Sequence, residues 1–264
     1  MRTPARVASV ALLLATGCAA ALKEPPPVSA LQRGTGGSAP ADALLQEAGE
    51  EYARRPDAAA VRRAEGLCLQ AAQADESGTA GLVCAIQAKA WLAEREKDAK
   101  TRTDLAVSAV QAGQWCIRRD ARSAPCKFWL AVSLGLQARD RPTTVEDGLK
   151  RMAQLLREAA KEDPLLDEAG PYRVLALLLA RAPGWPIGPG DVEEALVLAR
   201  KTVELRPDYP PNLVALGEVL LKNDRKAQGQ EALGKAIELA RTVPYVSNPD
   251  APSWIAEAEA IRAR

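Results

Sequence analysis

Five cysteines and no histidine set the chemistry open to this chain of 264 residues. Without imidazole, Ser–His and Cys–His nucleophiles and His-ligated zinc are excluded, and the commonest general base is missing. What the cysteines can do follows from their spacing. Cys18 stands alone near the N-terminus, leaving Cys68, Cys84, Cys116 and Cys126 as an even set. Cys68 and Cys84 each lie eight residues from Glu76, in the break QADESG. Cys116 and Cys126 each lie five residues from Ala121, in the break RRDARSAP. Residues equidistant from the turn of an antiparallel helix pair sit at the same height, so the spacing pairs Cys68 with Cys84 and Cys116 with Cys126. Such bridges contribute about 3 kcal/mol each by restricting the unfolded chain. The alternative is four free thiols acting as small apolar core residues.

Other candidates for chemistry are few. RAPGWPIGPGD (181–191) is glycine-rich, but it lacks the Gly-Lys-Ser/Thr ending of a phosphate loop and follows a helical pattern rather than a strand. Its Trp185 is expected to pack over its own hairpin, the alternative being an exposed partner anchor. Tyr172 and Arg173 open the helix before this loop, and Asn212 opens the next unit's first helix. In a stacked array such positions line the concave face and would meet a ligand there, the alternative being local capping or exposure to solvent. Glu50/Glu51 and Glu193/Glu194 are adjacent on helices and point to different sides, which disfavours a catalytic dyad. Trp91, Trp115 and Trp129 are expected in the core, with an apolar ligand cavity as the alternative. No metal or cofactor is expected, and a formal charge of +1 without a basic stripe points away from nucleic acid.

Cys18 belongs to a different context. Arg2 and Arg6 flank the start of the short apolar run Val7–Ala15, which has the shape of a secretion signal and is too short to span a bilayer. The run ends in Ala15-Thr16-Gly17-Cys18, which resembles the lipobox of bacterial lipoproteins, with Ala15 where that motif usually has Leu. The resemblance implies cleavage after residue 17, lipidation of Cys18 and sorting to an outer membrane. The alternative is ordinary cleavage at the A-x-A site Ala19-Ala20-Ala21, giving a soluble periplasmic protein. Residues 18–40, with KEPPPV and RGTGGSAP, read as a flexible tether that does not pack.

The body that must position these groups reads as helical. Apolar residues make up 47% of the chain but aromatics only 4%, a mixture that favours close-packed helices over sheets. Helices are expected near 41–54, 58–74, 79–96, 102–118, 124–138, 145–162, 169–181, 192–206, 211–222, 226–241 and 252–263. Thr143-x-x-Glu146 and Asp191-x-x-Glu194 look like capping boxes, and Pro210-Pro211 suits a first turn. Residues 193–207 align with 227–241 at a shift of 34, a repeat period, and 181–191 falls where the preceding unit carries extra residues. That glycine- and proline-rich stretch is therefore an enlarged turn in a repeating array.

The unit from Pro210 resembles a tetratricopeptide repeat through Leu213, Leu216, Gly217, Leu220, Gly229, Leu233 and Ala236, with Leu213, Leu220 and Leu233 in place of its usual aromatics. Across 41–264, the ordered set CKFWLAVSLGLQAR, GPYRVLALLLARAPGWPIG, ALVLARKTVELRPDYPPNLVALGEVLL and PSWIAEAEAIR is similar to the tetratricopeptide lipoproteins known as TRAP-transporter T-components, or TatT-like proteins. The expectation is an all-α solenoid of about five such hairpins with a C-terminal capping helix. The resemblance implies a non-enzymatic, lipid-anchored envelope scaffold, with a periplasmic solute-binding protein as partner. An envelope-assembly lipoprotein and a hydrophobic-ligand carrier are the other readings.

Overall fold

The computed structural model describes residues 24–31, 39–140 and 145–264. Cys18, the expected signal peptide and Thr143 lie outside them. The described helices are α1 (Ala41–Ala53), α2 (Ala58–Ala74), α3 (Ala80–Arg95), α4 (Ala99–Arg119), α5 (Ala124–Asp140), α6 (Val145–Glu162), α7 (Leu166–Arg181), α8 (Val192–Leu205), α9 (Pro210–Lys222), α10 (Lys226–Ala240) and α11 (Ala251–Arg262). They pair as hairpins α1/α2, α3/α4, α5/α6, α7/α8 and α9/α10, and α11 caps the last. Among the described residues there is no sheet, only an isolated bridge between Gly184 and Gly190.

Local chemistry sets the helix starts. Asp57 accepts hydrogen bonds from the N–H groups of Ala59 and Ala60, and Asp191 from those of Glu193 and Glu194, which satisfies orphan donors of the first turn. α4 begins at Ala99 rather than near 102 because Asp98 does the same for the Thr101 N–H at 2.8 Å. α7 begins early for another reason. Asp167, Glu168 and Ala169 adopt left-handed backbone at φ 49°, 56° and 64°, and ordinary helix follows them.

Each odd-numbered helix touches the next odd one, from α1 through α11, whereas each even helix meets only its chain neighbours among the α-helices. Elements on the inside of a curve are crowded together and those on the outside are spread apart, so the odd helices form the concave wall. The apolar core runs between the two rows. Phe128, Leu134, Leu155, Leu156, Leu175 and Leu179 are fully buried at its centre.

The turns between hairpins are tight. Cys68 of α2 is bonded to Cys84 of α3, and Cys116 of α4 to Cys126 of α5, with Cα separations of 5.5 and 5.3 Å. The pairing read from the spacing is the one observed. Each bridge joins one hairpin to the next, and each is accompanied by a glycine one turn earlier, in Gly81-x-x-Cys84 and Gly113-x-x-Cys116. A Cβ on Gly81 would lie 2.4 Å from the Ala72 nitrogen, and one on Gly113 would lie 2.9 Å from the Leu130 Cδ1. Positions three apart share a helix face, so the glycine admits the neighbouring helix and the cysteine then reaches it. The last hairpin closes similarly. A Cβ on Gly217 would sit 2.5 Å from the Leu233 Cγ and 3.1 Å from the Gly229 oxygen.

Residues 24–31 depart from the expectation of an unpacked tether. They lie against α2 and α4, with Val28–Leu31 in a 3-10 turn and Leu31 buried. The Trp115 Nε1 donates to the Pro26 carbonyl at 2.7 Å, and Arg118 pairs with Glu24 at 2.6 Å. Prolines carry no N–H, so Pro25–Pro27 can dock without leaving backbone donors unsatisfied. No helix of the described residues is long and apolar enough to cross a membrane.

Gly217→Ala should lower unfolding stability by about 1–3 kcal/mol through overpacking against Leu233. Gly234→Ala, where a Cβ meets nothing within 4 Å, should not. Urea unfolding followed by helical circular dichroism distinguishes them.

Candidate functional site

The concave wall carries a ladder of arginines. Arg55 follows α1, Arg95 ends α3, Arg139 lies in the last turn of α5, and Arg181 ends α7. A cation at a helix C-terminus is favoured by the negative end of the helix dipole. Every rung has an acidic neighbour. Asp250 meets Arg55 at 3.2 Å and Arg95 at 3.3 Å, Asp140 lies 3.7 Å from Arg139, and the nearly buried Glu218 accepts from Arg181 Nε at 2.8 Å. Arg181 also lies 3.6 Å from Glu257 of α11.

Glu94 and Glu257 approach the same region from α3 and α11. Glu94 stays about half exposed, and partial loss of surrounding solvent raises its carboxyl above its usual range, opposed by Arg95 and reinforced by the charge of Glu257. The half-exposed Glu257 is raised in the same way by partial desolvation, opposed by Arg181 and reinforced by Glu218. Two carboxylates on well-separated helices thus feel each other across the groove. The hydroxyl of Tyr52, beneath Arg55, is pushed up to about 12 by burial.

The residues expected to face a ligand fare differently from one another. Asn212 is completely buried. Its amide nitrogen donates to the carbonyls of Glu168, Thr202 and Arg206 at 3.1, 3.3 and 3.2 Å. Its oxygen accepts from Arg173 Nη1 at 3.0 Å. Arg173 in turn donates to the Asp167 and Glu168 carbonyls at 3.2 Å each, and to the Asp167 carboxylate at 2.7 Å. Together they clasp the left-handed turn at the start of α7, whose conformation costs roughly 1 kcal/mol or more per non-glycine residue. Asn212 is therefore an internal clasp rather than a ligand group, because all its polar capacity is spent on backbone and Arg173. Tyr172 is partly exposed on α7.

Trp185 does not pack over its hairpin. It is 90% exposed, and Ile187 beside it is 67% exposed. The reason lies in the turn's backbone. Gly190 N–H donates to the Pro183 carbonyl at 2.8 Å, and a Cβ on Gly190 would lie 2.2 Å from the Ala182 oxygen. Backbone fills the inside of the loop, so the side chains project outward. The stretch is an enlarged turn between α7 and α8, as its place in the repeat predicts.

Of the three tryptophans expected in the core, Trp91 is buried, while Trp115 and Trp129 are partly buried against it. Trp115 also lines a cavity of about 450 Å³ with Pro27, Val28, Glu76, Arg118 and Arg119, a mixed lining of apolar and charged side chains. Among the described residues no group of His, Cys, Asp and Glu is placed to hold a metal ion.

No protein-family model matches the chain, and no curated protein matches it in sequence. Solved structures match its shape. TTC0263, a thermophilic TPR protein of Thermus thermophilus, covers 83% of this chain and 99% of its own length, with a TM-score of 0.61 and 18% identity. The fold is a tetratricopeptide-type solenoid. MamA aligns over 76% of this chain and 92% of its own with a TM-score of 0.45 and 14% identity. Yeast Tom70 aligns over 85% and 47%, with a TM-score of 0.45 and 16% identity.

The concave face is where the sequence expectations place a site, but through Tyr172, Arg173 and Asn212, with Trp185 as a separate anchor, and not through this ladder of arginines. The signal is present as arginine at the C-terminal ends of four successive odd helices, and it becomes readable once those helices are known to share a wall.

Asn212→Ala should cost about 1–3 kcal/mol by removing the buried amide that ties the Glu168, Thr202 and Arg206 carbonyls to Arg173, measured by urea unfolding. Despite their arginine neighbours, Glu94 and Glu257 are shifted up rather than down. Because the folded-state value of Glu94 is raised, its ionised form destabilises the fold above the ordinary carboxylate range. Glu94→Gln should therefore raise Tm at pH 7.5 by only a small amount, since the half-exposed carboxylate is screened by solvent, and the gain should vanish as pH falls below about 4, where wild-type Glu94 is protonated in both states.

Proposed function

We propose that this chain is a non-enzymatic, lipid-anchored envelope protein whose concave groove holds a protein partner. The observation that carries the reading is the arginine ladder on the inner wall, Arg55, Arg95, Arg139 and Arg181, set among carboxylates on a continuous curved surface. Such a surface recognises an extended segment by charge and shape, and it offers no histidine for general acid–base chemistry. The two disulfides support an oxidising compartment, since cytosolic thiols are kept reduced. The signal-like N-terminus ending in Gly17-Cys18 supports export and lipidation, and Ala19 after the cysteine supports outer-membrane sorting. Similarity to the TRAP-transporter T-components makes a periplasmic solute-binding protein the leading partner. A hydrophobic-ligand carrier has less support, because charged side chains line both the groove and the cavity beside Trp115.

The test is affinity capture from native envelopes with in situ cross-linking, followed by mass spectrometry. Wild type should recover a periplasmic protein that an Arg139→Glu/Arg181→Glu variant does not. Equal recovery by both would overturn the groove as the binding surface. In the same preparation Cys18→Ser should move from the membrane to the soluble fraction, and its retention in the membrane would rule out the lipid anchor.

A further inference from the structure

The two ends of the solenoid meet through one carboxylate. Asp250, at the start of α11, reaches across the groove to residues at the start of the array. Its Oδ2 accepts from Arg55 Nε at 3.2 Å, and its Oδ1 accepts from Trp91 Nε1 at 3.1 Å and Arg95 Nη2 at 3.3 Å. The backbone of α11 does not pack on α1 or α3. Side chains alone therefore close the ring at this seam.

The receiving site has supports of its own besides the carboxylate. The Arg55 guanidinium stacks over the Tyr52 ring at 3.9 Å, and that of Arg95 over the Trp91 ring at 4.2 Å. Arg55 Nη1 is also held by the Tyr52 carbonyl at 2.7 Å. Two cations fixed against aromatic faces, with an indole N–H between them, form a cradle for one carboxylate. The Arg55 side chain is 13% exposed and Trp91 7%, while Arg95 is 34% exposed, so the cradle is shielded on one side and open to solvent at Arg95.

Asp250 gives up a local role to fill it. Asp is among the best N-cap residues, and Asp250 holds the N-cap position of α11, yet its side chain makes no capping hydrogen bond. The carboxylate is turned away from its own helix and into the cradle. Opposing this attraction, Glu94 and Glu257 repel across the same seam.

We propose that Arg55, Trp91 and Arg95 form a carboxylate-binding site occupied in cis by Asp250, and that an acidic side chain of a bound polypeptide displaces Asp250 and opens the ring. The occupied site is then an autoinhibitory latch. With Asp250 in place the cradle is filled, and a partner must carry its own carboxylate to take it. This inference rests on the groove being the partner surface proposed above, although the latch itself can be tested with no native partner present.

The experiment uses the full chain bearing spin labels on non-canonical residues at the exposed positions Glu47 of α1 and Ala256 of α11. Wild type should give one narrow inter-label distance distribution. Asp250→Asn, which keeps the shape and loses the charge, should lengthen or broaden it, and Arg95→Gln should do the same from the opposite wall. An unchanged distribution in both variants would overturn the latch. The probe for the site is a capped peptide carrying residues Val246–Ser253. It should bind the Asp250→Asn protein at least about tenfold more tightly than wild type, and Asn in place of the peptide's aspartate should abolish that binding. Binding indifferent to that aspartate would overturn the carboxylate site. Failure of the envelope capture described above would remove the partner reading while leaving both of these readouts standing.

Discussion

Close approach of helices through positions with no side chain is the constraint on which the rest of this molecule depends. Gly217 and Gly229 face one another so tightly that a Cβ on either would lie within 3.1 Å of the other's carbonyl oxygen. Gly81 and Gly113 do the same work at the joints between hairpins. With so few aromatic residues, the core fills space by bringing Ala- and Gly-rich backbones together rather than by interlocking large rings. The curvature of the wall, and hence the groove, follows from how near those backbones come. Widening a single crossing would rotate every hairpin beyond it.

The groove is polar because of where the chain ends its inner helices. Each odd helix of the first four hairpins leaves its negative dipole end at one rim, and an arginine settles there. The acids that answer these arginines come largely from distant parts of the sequence. Arg55 and Asp250 are 195 residues apart, and Arg181 and Glu218 are 37 apart. Pairing of this kind neutralises the wall without filling it with apolar bulk, so the inner surface remains open to charged polypeptide.

What was legible in the sequence was local. The disulfide pairing could be read because each pair straddles a turn symmetrically, and height on an antiparallel hairpin depends only on distance from that turn. The helices, the Asp191 cap and the enlarged turn at 181–191 were legible for the same reason, since their physics lies within a few residues. The role of Asn212 was hidden because its partners Glu168 and Arg173 belong to the preceding hairpin, and burial of a polar amide cannot be inferred without them. The exposure of Trp185 was hidden because a backbone crossing at Gly190 sets it, and not the side chain's own hydrophobicity. Pro25–Pro27 looks like a spacer by composition, but a chain with few donors docks at little polar cost once Trp115 offers an N–H. The Asp250 contact has no signal in the sequence at all, because it depends on the accumulated rotation of the whole array.

The two disulfides are unevenly placed, and this has a mechanical consequence. Both cross joints among the first three hairpins, α2 to α3 and α4 to α5, whereas α6 to α7 and α8 to α9 are held without covalent links. A curved stack welded over its first half and merely hinged over its second behaves as a spring with one rigid arm. Bending strain imposed anywhere along it is taken up on the compliant side, where the left-handed turn at Asp167–Ala169 is held by hydrogen bonds, two ion pairs and the buried Ala169 rather than by a covalent link. The welded arm holds its shape and serves as the fixed jaw against which the other half moves.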